Sequence, residues 1–172
     1  MESISKKQKT VFLMSGIPGS GKTSWVQKRM DPDTDIHISR DNIRFSMLKD
    51  NQEYFEVEEQ VKKCFFQMIE DSTNDDSVDN NIYIDATHLT PRARNLVRKH
   101  IAPGTRIIAV DFNINLSTAL ERNNQRSGRA LVPETVIRRM YGQYVRPTLE
   151  EGFYEVWHIN DQNILVKEVR EL

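Results

Sequence analysis

The sequence predicts a single α/β domain, with a parallel central sheet carrying helices on both faces. Three observations lead there. Short apolar segments alternate with segments of helical period along most of the 172 residues, the pattern of strands joined by helical crossovers. The first apolar segment, Val11 to Ser15, lacks the polar alternation of a half-exposed strand, so it belongs in the middle of a sheet covered on both sides. Directly after it runs the glycine-rich turn Gly16-Ile17-Pro18-Gly19-Ser20-Gly21-Lys22-Thr23, followed by a segment able to continue as a helix. Folds of this kind gather their ligands at such carboxyl ends of strands.

The elements follow in order. Met1 to Thr10 is polar and basic and reads as a flexible tail. The helix after the glycine-rich turn runs to about Met30, where Asp31-Pro32 stops it. Ile36 to Ser39 is a short second strand, with a short helix, Asp41 to Lys49, at its end. Tyr54, Val57, Val61, Cys64, Phe65, Met68 and Ile69 recur at helical spacing and predict a helix over Glu53 to Ile69 with one buried face. Glu53, Glu56, Glu58 and Glu59 fall mostly elsewhere around it and read as a solvated face. Cys64 lies in the apolar stripe and reads as core rather than nucleophile. Asp71 to Asn80 is a polar loop. Ile82 to Asp85 is a third strand, and Thr90-Pro91 opens a helix that ends near Ile101, before Pro103-Gly104. Arg106 to Phe112 is a fourth strand. Leu116 to about Arg126 and Pro133 to Tyr144 are helices, Tyr154 to Ile159 is a fifth strand, and the last ten residues fit a strand or a helix. No internal repeat or domain boundary interrupts the series, so residues 1–172 read as one domain.

Composition excludes several classes. The net charge of −1 means that the surface as a whole does not attract nucleic acid, and any such binding must use a local patch. One cysteine cannot form an internal disulfide, which fits a reducing compartment. No apolar run approaches the roughly 20 residues of a membrane span, and the N-terminus does not read as a signal peptide. A cytoplasmic location is the default expectation.

Gly16 to Thr23 is a complete phosphate-binding P-loop. Gly16, Gly19 and Gly21 allow positive φ and close backbone approach. Together with Ser20, their N–H groups form an anion-binding nest at the positive end of the following helix. Lys22 brings a compact cation to the β- and γ-phosphates, and the Thr23 hydroxyl can bind Mg²⁺. The ligand is therefore ATP or another nucleoside triphosphate.

Three further constellations lie at strand ends or near them. In Ser39-Arg40-Asp41-Asn42-Ile43-Arg44, Asp41 either caps a helix or accepts a proton from an attacking hydroxyl. Arg44, one turn later, is either solvated or binds an anionic group on the acceptor. In Asp85-Ala86-Thr87-His88, Asp85 ends an apolar strand and either caps a helix or holds a Mg²⁺-bound water. Thr87 is a candidate acceptor contact, and His88 reads as a polar loop residue. The stretch Arg122 to Arg146 is basic, with Arg122, Arg126 and Arg129 at i, i+4 and i+7 on one helical face. It is either a solvated helix or a lid whose arginines reach a phosphoryl group. Arg92, Arg94, Arg98 and Lys99 read as a solvated helix face. The four histidines show no metal-ligand spacing.

With these residues in place, the chain resembles the 5′-kinase domain of phage-type polynucleotide kinases. The shared pieces are Gly16 to Thr23 with Trp25; Ser39 to Arg44; Asp85-Ala86-Thr87-His88-Leu89-Thr90-Pro91; Arg122-Asn123 with Arg126-Ser127-Gly128; and Val132-Pro133 with Arg139-Met140-Tyr141. The resemblance implies a P-loop kinase domain with a helical arginine-bearing lid. It implies Asp41 as general base on the 5′-hydroxyl of DNA or RNA, and Arg44 on the phosphate 3′ to the acceptor nucleoside. Lys22 and Arg126 would clamp the transferring phosphoryl group, Arg122 would hold the nucleotide from the lid, and Val132 would lie near the acceptor base. The Asp-x-Asp-Gly-Thr motif of the phage enzyme's phosphatase domain is absent, so 3′-phosphatase activity is not expected. The alternatives are a small-molecule kinase of the same fold and a nucleotide-driven switch without an acceptor. Arg44 separates them, because an acceptor without a nearby phosphate would leave it no partner.

Overall fold

The computed structural model describes residues 9–77 and 80–169. Most of the expected tail lies outside the described residues, but Thr10 is buried and opens the first strand. The strands are β1 (Thr10–Ser15), β2 (Ile36–Ser39), β3 (Asn81–Asp85), β4 (Arg106–Phe112), β5 (Glu155–Ile159) and β6 (Leu165–Val169). They form one six-stranded sheet in the order β2-β3-β1-β4-β5-β6. β1 to β5 are parallel, and β6 runs antiparallel to β5 at the edge. Of the last ten residues, left open between strand and helix, Leu165–Val169 form a strand, returned by a tight turn in which Asn163 takes φ 57°, and residues 170–172 lie outside the described residues.

Pleating explains why β1 reads as uninterrupted apolar sequence. Val11 and Leu13 face one side, where they pack with Ile38, Ile82 and Ile84. That side is covered by α2 (Arg40–Met47), α3 (Glu58–Asn74) and α4 (Pro91–Arg98), through Ile43, Val61, Phe65, Ile69 and Val97. Phe12 and Met14 face the other side with Tyr83, Val110 and Trp157, under Val26 of α1 (Lys22–Arg29). Successive strand residues point to opposite faces, so a strand covered on both must be apolar at every position. A smaller cluster joins Ile17 of the P-loop to Ala119 of α5 (Leu116–Asn124) and Ile137 of α6 (Glu134–Gln143). Among the described residues no helix is long and apolar enough to cross a membrane.

Both ends of α3 differ from expectation. α3 begins at Glu58 rather than Glu53, because Gln52 to Glu58 is a run of tight turns. Tyr54 therefore leaves the buried stripe and points its hydroxyl at Asp41 and Arg44. At its other end α3 continues through the expected loop to Asn74. There the Thr73 hydroxyl donates to the Ile69 carbonyl at 2.8 Å, and the Asn74 amide to that of Glu70 at 2.8 Å. Both are back-bonds from a short polar side chain to the carbonyl one turn earlier, so these residues fold onto the helix rather than break it.

Strand register places the site. Ser39 at the end of β2 pairs with Asp85 at the end of β3, and Ser15 at the end of β1 with Asp111 in β4. All the functional strand ends therefore open on one edge of the sheet.

Candidate active site

The P-loop is held by its backbone and by tight packing. The Gly16 N–H donates to the Thr87 carbonyl at 2.9 Å, tying the loop to the segment after β3. Gly19 has φ 80°, and a Cβ there would stand 2.3 Å from the Ala119 carbonyl oxygen, so only glycine fits. Gly21, at φ 94°, turns the chain into α1. The buried Lys22 ammonium donates to the carbonyls of Gly16 and Ile17 at 2.9 and 2.8 Å and to Ser20 Oγ at 3.3 Å. Burial lowers its pKa to about 8; Asp85 and Asp41 oppose that shift and Arg126 adds to it. Residues from four separate segments thus act on one charge.

Asp85 does not cap a helix. Thr90 caps α4 by accepting from the Ala93 N–H. The Asp85 carboxylate instead accepts from the Thr23 hydroxyl at 2.7 Å and lies 3.1 Å from His37 Nε2. Burial works against its charge, but the bond to His37, the Lys22 charge and the Thr23 hydroxyl hold its pKa below the usual carboxylate value. A hydroxyl and an ionised carboxylate are the hard oxygen donors that Mg²⁺ takes. Among the described residues no group of three or more His, Cys, Asp or Glu could hold a metal alone. A metal here would draw its remaining ligands from the nucleotide and water.

Asp41 is also released from capping. Ser39 is the N-cap of α2, accepting from the Asn42 N–H, and Asp41 follows in the first turn. Its side chain is 63% exposed, while that of Arg44 is 6% exposed. Asp41 Oδ1 accepts from Arg44 at 2.7 Å and from the Tyr54 hydroxyl at 2.8 Å. The solvated reading of Arg44 is overturned, and so is the expectation that it lacks a partner inside the chain. It donates to Asp41, to Tyr54 and, at 2.7 Å, to Glu58, and its guanidinium lies 4.3 Å from the Tyr54 ring centre. Glu58 is likewise no solvated glutamate, since it also pairs with Arg40. Burial disfavours its charge, but the two arginines hold its pKa below the usual value.

The lid differs from the expected helical stripe. α5 stops at Asn124, so Arg126 lies in the loop beyond it and Arg129 in a short 3-10 turn, Gly128–Ala130, on no common helical face with Arg122. Arg122 donates to the Ser20 carbonyl at 3.4 Å, over the P-loop. Arg126 is exposed within electrostatic reach of Lys22. Arg129 donates to the carbonyls of Lys49 and Asp50 at 2.7 and 2.8 Å, and to that of Gln52 at 3.3 Å. Buried Asn123 clasps the backbone of Val132 with two bonds, closing the loop, and the Val132 side chain packs on the Ile17–Ile137 cluster.

Sequence reasoning missed the polar scaffold behind the P-loop. Arg94, expected to be solvated, is fully buried. It makes a bidentate pair with Glu151 at 2.9 and 2.6 Å and donates to the carbonyls of His88 and Val145 at 2.9 Å each. Arg98 reaches the Glu151 carbonyl and lies over the Phe153 ring. His88 is buried, with Nδ1 2.6 Å from the Met14 carbonyl; burial lowers its pKa to about 4. Asp111, fully buried, takes the Tyr144 hydroxyl, Arg146 Nε at 2.7 Å and His158 Nδ1 at 2.7 Å. Arg146 therefore belongs to the scaffold and not to the lid. The sequence signal for Asp111 was an acid inside a strand otherwise covered on both faces, which must be paired to be buried.

Known proteins can be set beside this geometry. No curated protein sequence matches the chain closely enough to count as a relative. A gluconokinase from Sinorhizobium meliloti 1021 superposes with a TM-score of 0.55 at 15% identity, covering 90% of this chain and 83% of that one. A chain from the Pnkp1/Rnl/Hen1 RNA repair complex gives 0.64 at 17% identity, over 83% of this chain and 46% of that one, so this chain spans less than half its length. A fungal RNA kinase gives 0.53 at 14% identity, over 90% of this chain and 74% of that one. Such identities show the fold alone. A family profile described as an AAA domain matches residues 11–147, a span that holds the P-loop, Asp41, Asp85 and the lid arginines. The chain belongs to that AAA-domain family, and its P-loop makes it a nucleotide-binding domain.

Proposed function

We propose that the protein transfers the γ-phosphoryl group of ATP, with Mg²⁺, to the 5′-hydroxyl of a DNA or RNA end. One observation carries this reading. Asp41 is an exposed carboxylate with no capping role, fixed by Arg44 and Tyr54 and within electrostatic reach of the P-loop lysine. A nucleotide switch has no use for such a group, whereas a phosphotransferase needs a base beside its phosphates.

In this reading the P-loop N–H groups and Lys22 hold the β- and γ-phosphates. Arg126 reaches from the lid to the charge that develops on the transferring group. Thr23 and Asp85 would hold Mg²⁺, which neutralises phosphate charge when bound. Asp41 accepts the proton of the attacking hydroxyl, and Arg44 and Tyr54 keep it aimed. Positioning and charge neutralisation supply most of the catalysis in such a reaction.

The motifs shared with phage-type polynucleotide kinases favour a nucleic-acid end, and the likeness to a chain from an RNA repair complex and to a fungal RNA kinase agrees with it. A small-molecule hydroxyl is the second reading. Arg44 favours it, because its partners inside the chain leave it no need of an acceptor phosphate, and the likeness to a gluconokinase fits it as well.

The test offers labelled ATP with a 5′-hydroxyl oligonucleotide, a free nucleoside, a 3′-nucleotide and gluconate. Label on the oligonucleotide is expected; label on gluconate or the free nucleoside alone would replace the first reading by the second. Asp41→Asn should lower kcat by about 10²–10⁴-fold with the Kd for ATP nearly unchanged. Unchanged turnover would remove Asp41 as the base.

A further inference from the structure

Arg44 was expected to recognise the acceptor through its phosphate, yet its guanidinium is buried and both terminal nitrogens are committed to Asp41, Tyr54 and Glu58, with the buried Nε alone left unpartnered. Something else near Asp41 must distinguish one acceptor from another. An aromatic run begins at the carboxylate itself. The Tyr54 hydroxyl donates to Asp41 at 2.8 Å. The Tyr54 ring meets Phe45 edge-on at 6.2 Å and Phe55 edge-on at 4.9 Å. Phe45 is 38% exposed and Phe55 is 72% exposed, the highest exposure among the large hydrophobic side chains of the described residues. Exposing a phenyl ring to this degree costs hydrophobic burial, and a ring beside a catalytic carboxylate has a use for its free face.

The connection runs from Asp41 through the Tyr54 hydroxyl and ring to both phenyl rings, and a nucleoside whose 5′-hydroxyl sits on Asp41 carries its base one sugar away. Every base has a π-face, so stacking on such a ring tolerates any sequence. The carrier segment is also fixed: Arg129 of the lid donates to the carbonyls of Lys49, Asp50 and Gln52, just before the aromatic pair. The loop that carries a phosphate-directed arginine, Arg126, is thereby fastened to the segment that carries the rings.

We infer that Phe55, with Phe45, is the stacking platform for the base of the acceptor's 5′-terminal nucleoside, so that this protein selects its acceptor by the base and not by a phosphate on Arg44. The inference rests on the acceptor being a nucleic-acid end.

The experiment measures kcat/KM for two oligonucleotides that differ only at the 5′-terminal residue, one with a base and one abasic, with the wild-type protein and with Phe55→Ala. Phe55 is on the surface, so its replacement should leave the fold intact, which thermal melting and the Kd for ATP verify. In the wild type, loss of the base should lower kcat/KM about tenfold or more. Phe55→Ala should cause a similar loss on the base-bearing oligonucleotide and little change on the abasic one. Equal effects of Phe55→Ala on both oligonucleotides, or equal use of both by the wild type, would overturn the platform and leave the kinase reading standing. No transfer to either oligonucleotide by wild-type protein that binds ATP would overturn the nucleic-acid reading and the platform with it.

Discussion

The P-loop and the Asp41 cluster open on the same edge of the sheet, one strand apart, and are built by opposite means. The phosphate cradle is made of backbone: glycines whose conformations admit no side chain, an amide tied to Thr87, and a lysine buried among carbonyls. The Asp41 cluster is made of side chains from α2, the turn after it and the start of α3, joined only by hydrogen bonds and charge. The contrast follows the chemistry. A triphosphate is the same in every such protein, and a rigid nest of N–H groups serves them all. Acceptors differ, and side chains can be exchanged without moving the backbone. The donor half should therefore fail all at once when altered, and the acceptor half by degrees.

The largest effect is expected from Lys22→Met, which keeps much of the side-chain stem and removes the charge. A lost donor to the transferring group lowers kcat by about 10²–10³-fold. Melting temperature should barely move, because the buried ammonium costs desolvation as well as gaining its bonds. Turnover within tenfold of wild type would break the assignment of Lys22 to phosphate and would remove the functional distinction between the two halves.

The two halves were also unequally legible in the sequence. Gly16 to Thr23 is contiguous, and its spacing alone names its ligand. The parallel sheet was legible for a similar reason, since Val11 to Ser15 and Ile82 to Ile84 cannot face water on either side. The Asp41 cluster was half legible. Asp41 and Arg44 lie one turn apart, but Tyr54 and Glu58 join them only because Gln52 to Glu58 forms turns in place of a longer helix. Helical periodicity counted Tyr54 as core because an aromatic ring satisfies the pattern wherever its hydroxyl points. The scaffold of Arg94, Glu151 and Asp111 was illegible, because its members are 57 residues apart in one pair and 47 in another. A buried ion pair of that range leaves no local pattern.

Glu58→Gln probes the side-chain half. The amide keeps one acceptor oxygen but loses the charge that balances Arg40 and Arg44. Breaking a fully buried pair costs about 3–5 kcal/mol, and the 30% exposure of Glu58 reduces the loss here to about 1–2 kcal/mol. Asp41 would then be the one carboxylate left to Arg44 and would be pulled from its aim, lowering kcat/KM for the acceptor about tenfold with the Kd for ATP unchanged. A loss of ATP affinity as large as the loss of acceptor use would mean that the halves are coupled and not separately built.

The smallest effect tests the donor half without a mutation. Burial lowers the Lys22 pKa to about 8 in the free protein, so its ammonium begins to deprotonate at mildly alkaline pH. Phosphates bind the charged form and raise its pKa, so nucleotide binding takes up a proton wherever the free lysine is partly neutral. The sign follows directly: affinity is full well below pH 8 and falls as pH rises through it. Between pH 7 and pH 8.5 the charged fraction drops about fourfold, and the Kd for ATP should rise by the same factor. Calorimetry in buffers of different ionisation enthalpy should register proton uptake near pH 8. Lys22→Met should abolish the uptake, whereas Asp41→Asn should keep it, shifted to lower pH by the lost carboxylate. Proton uptake that survives Lys22→Met would place the titrating group elsewhere and leave the buried ammonium charged across the whole range.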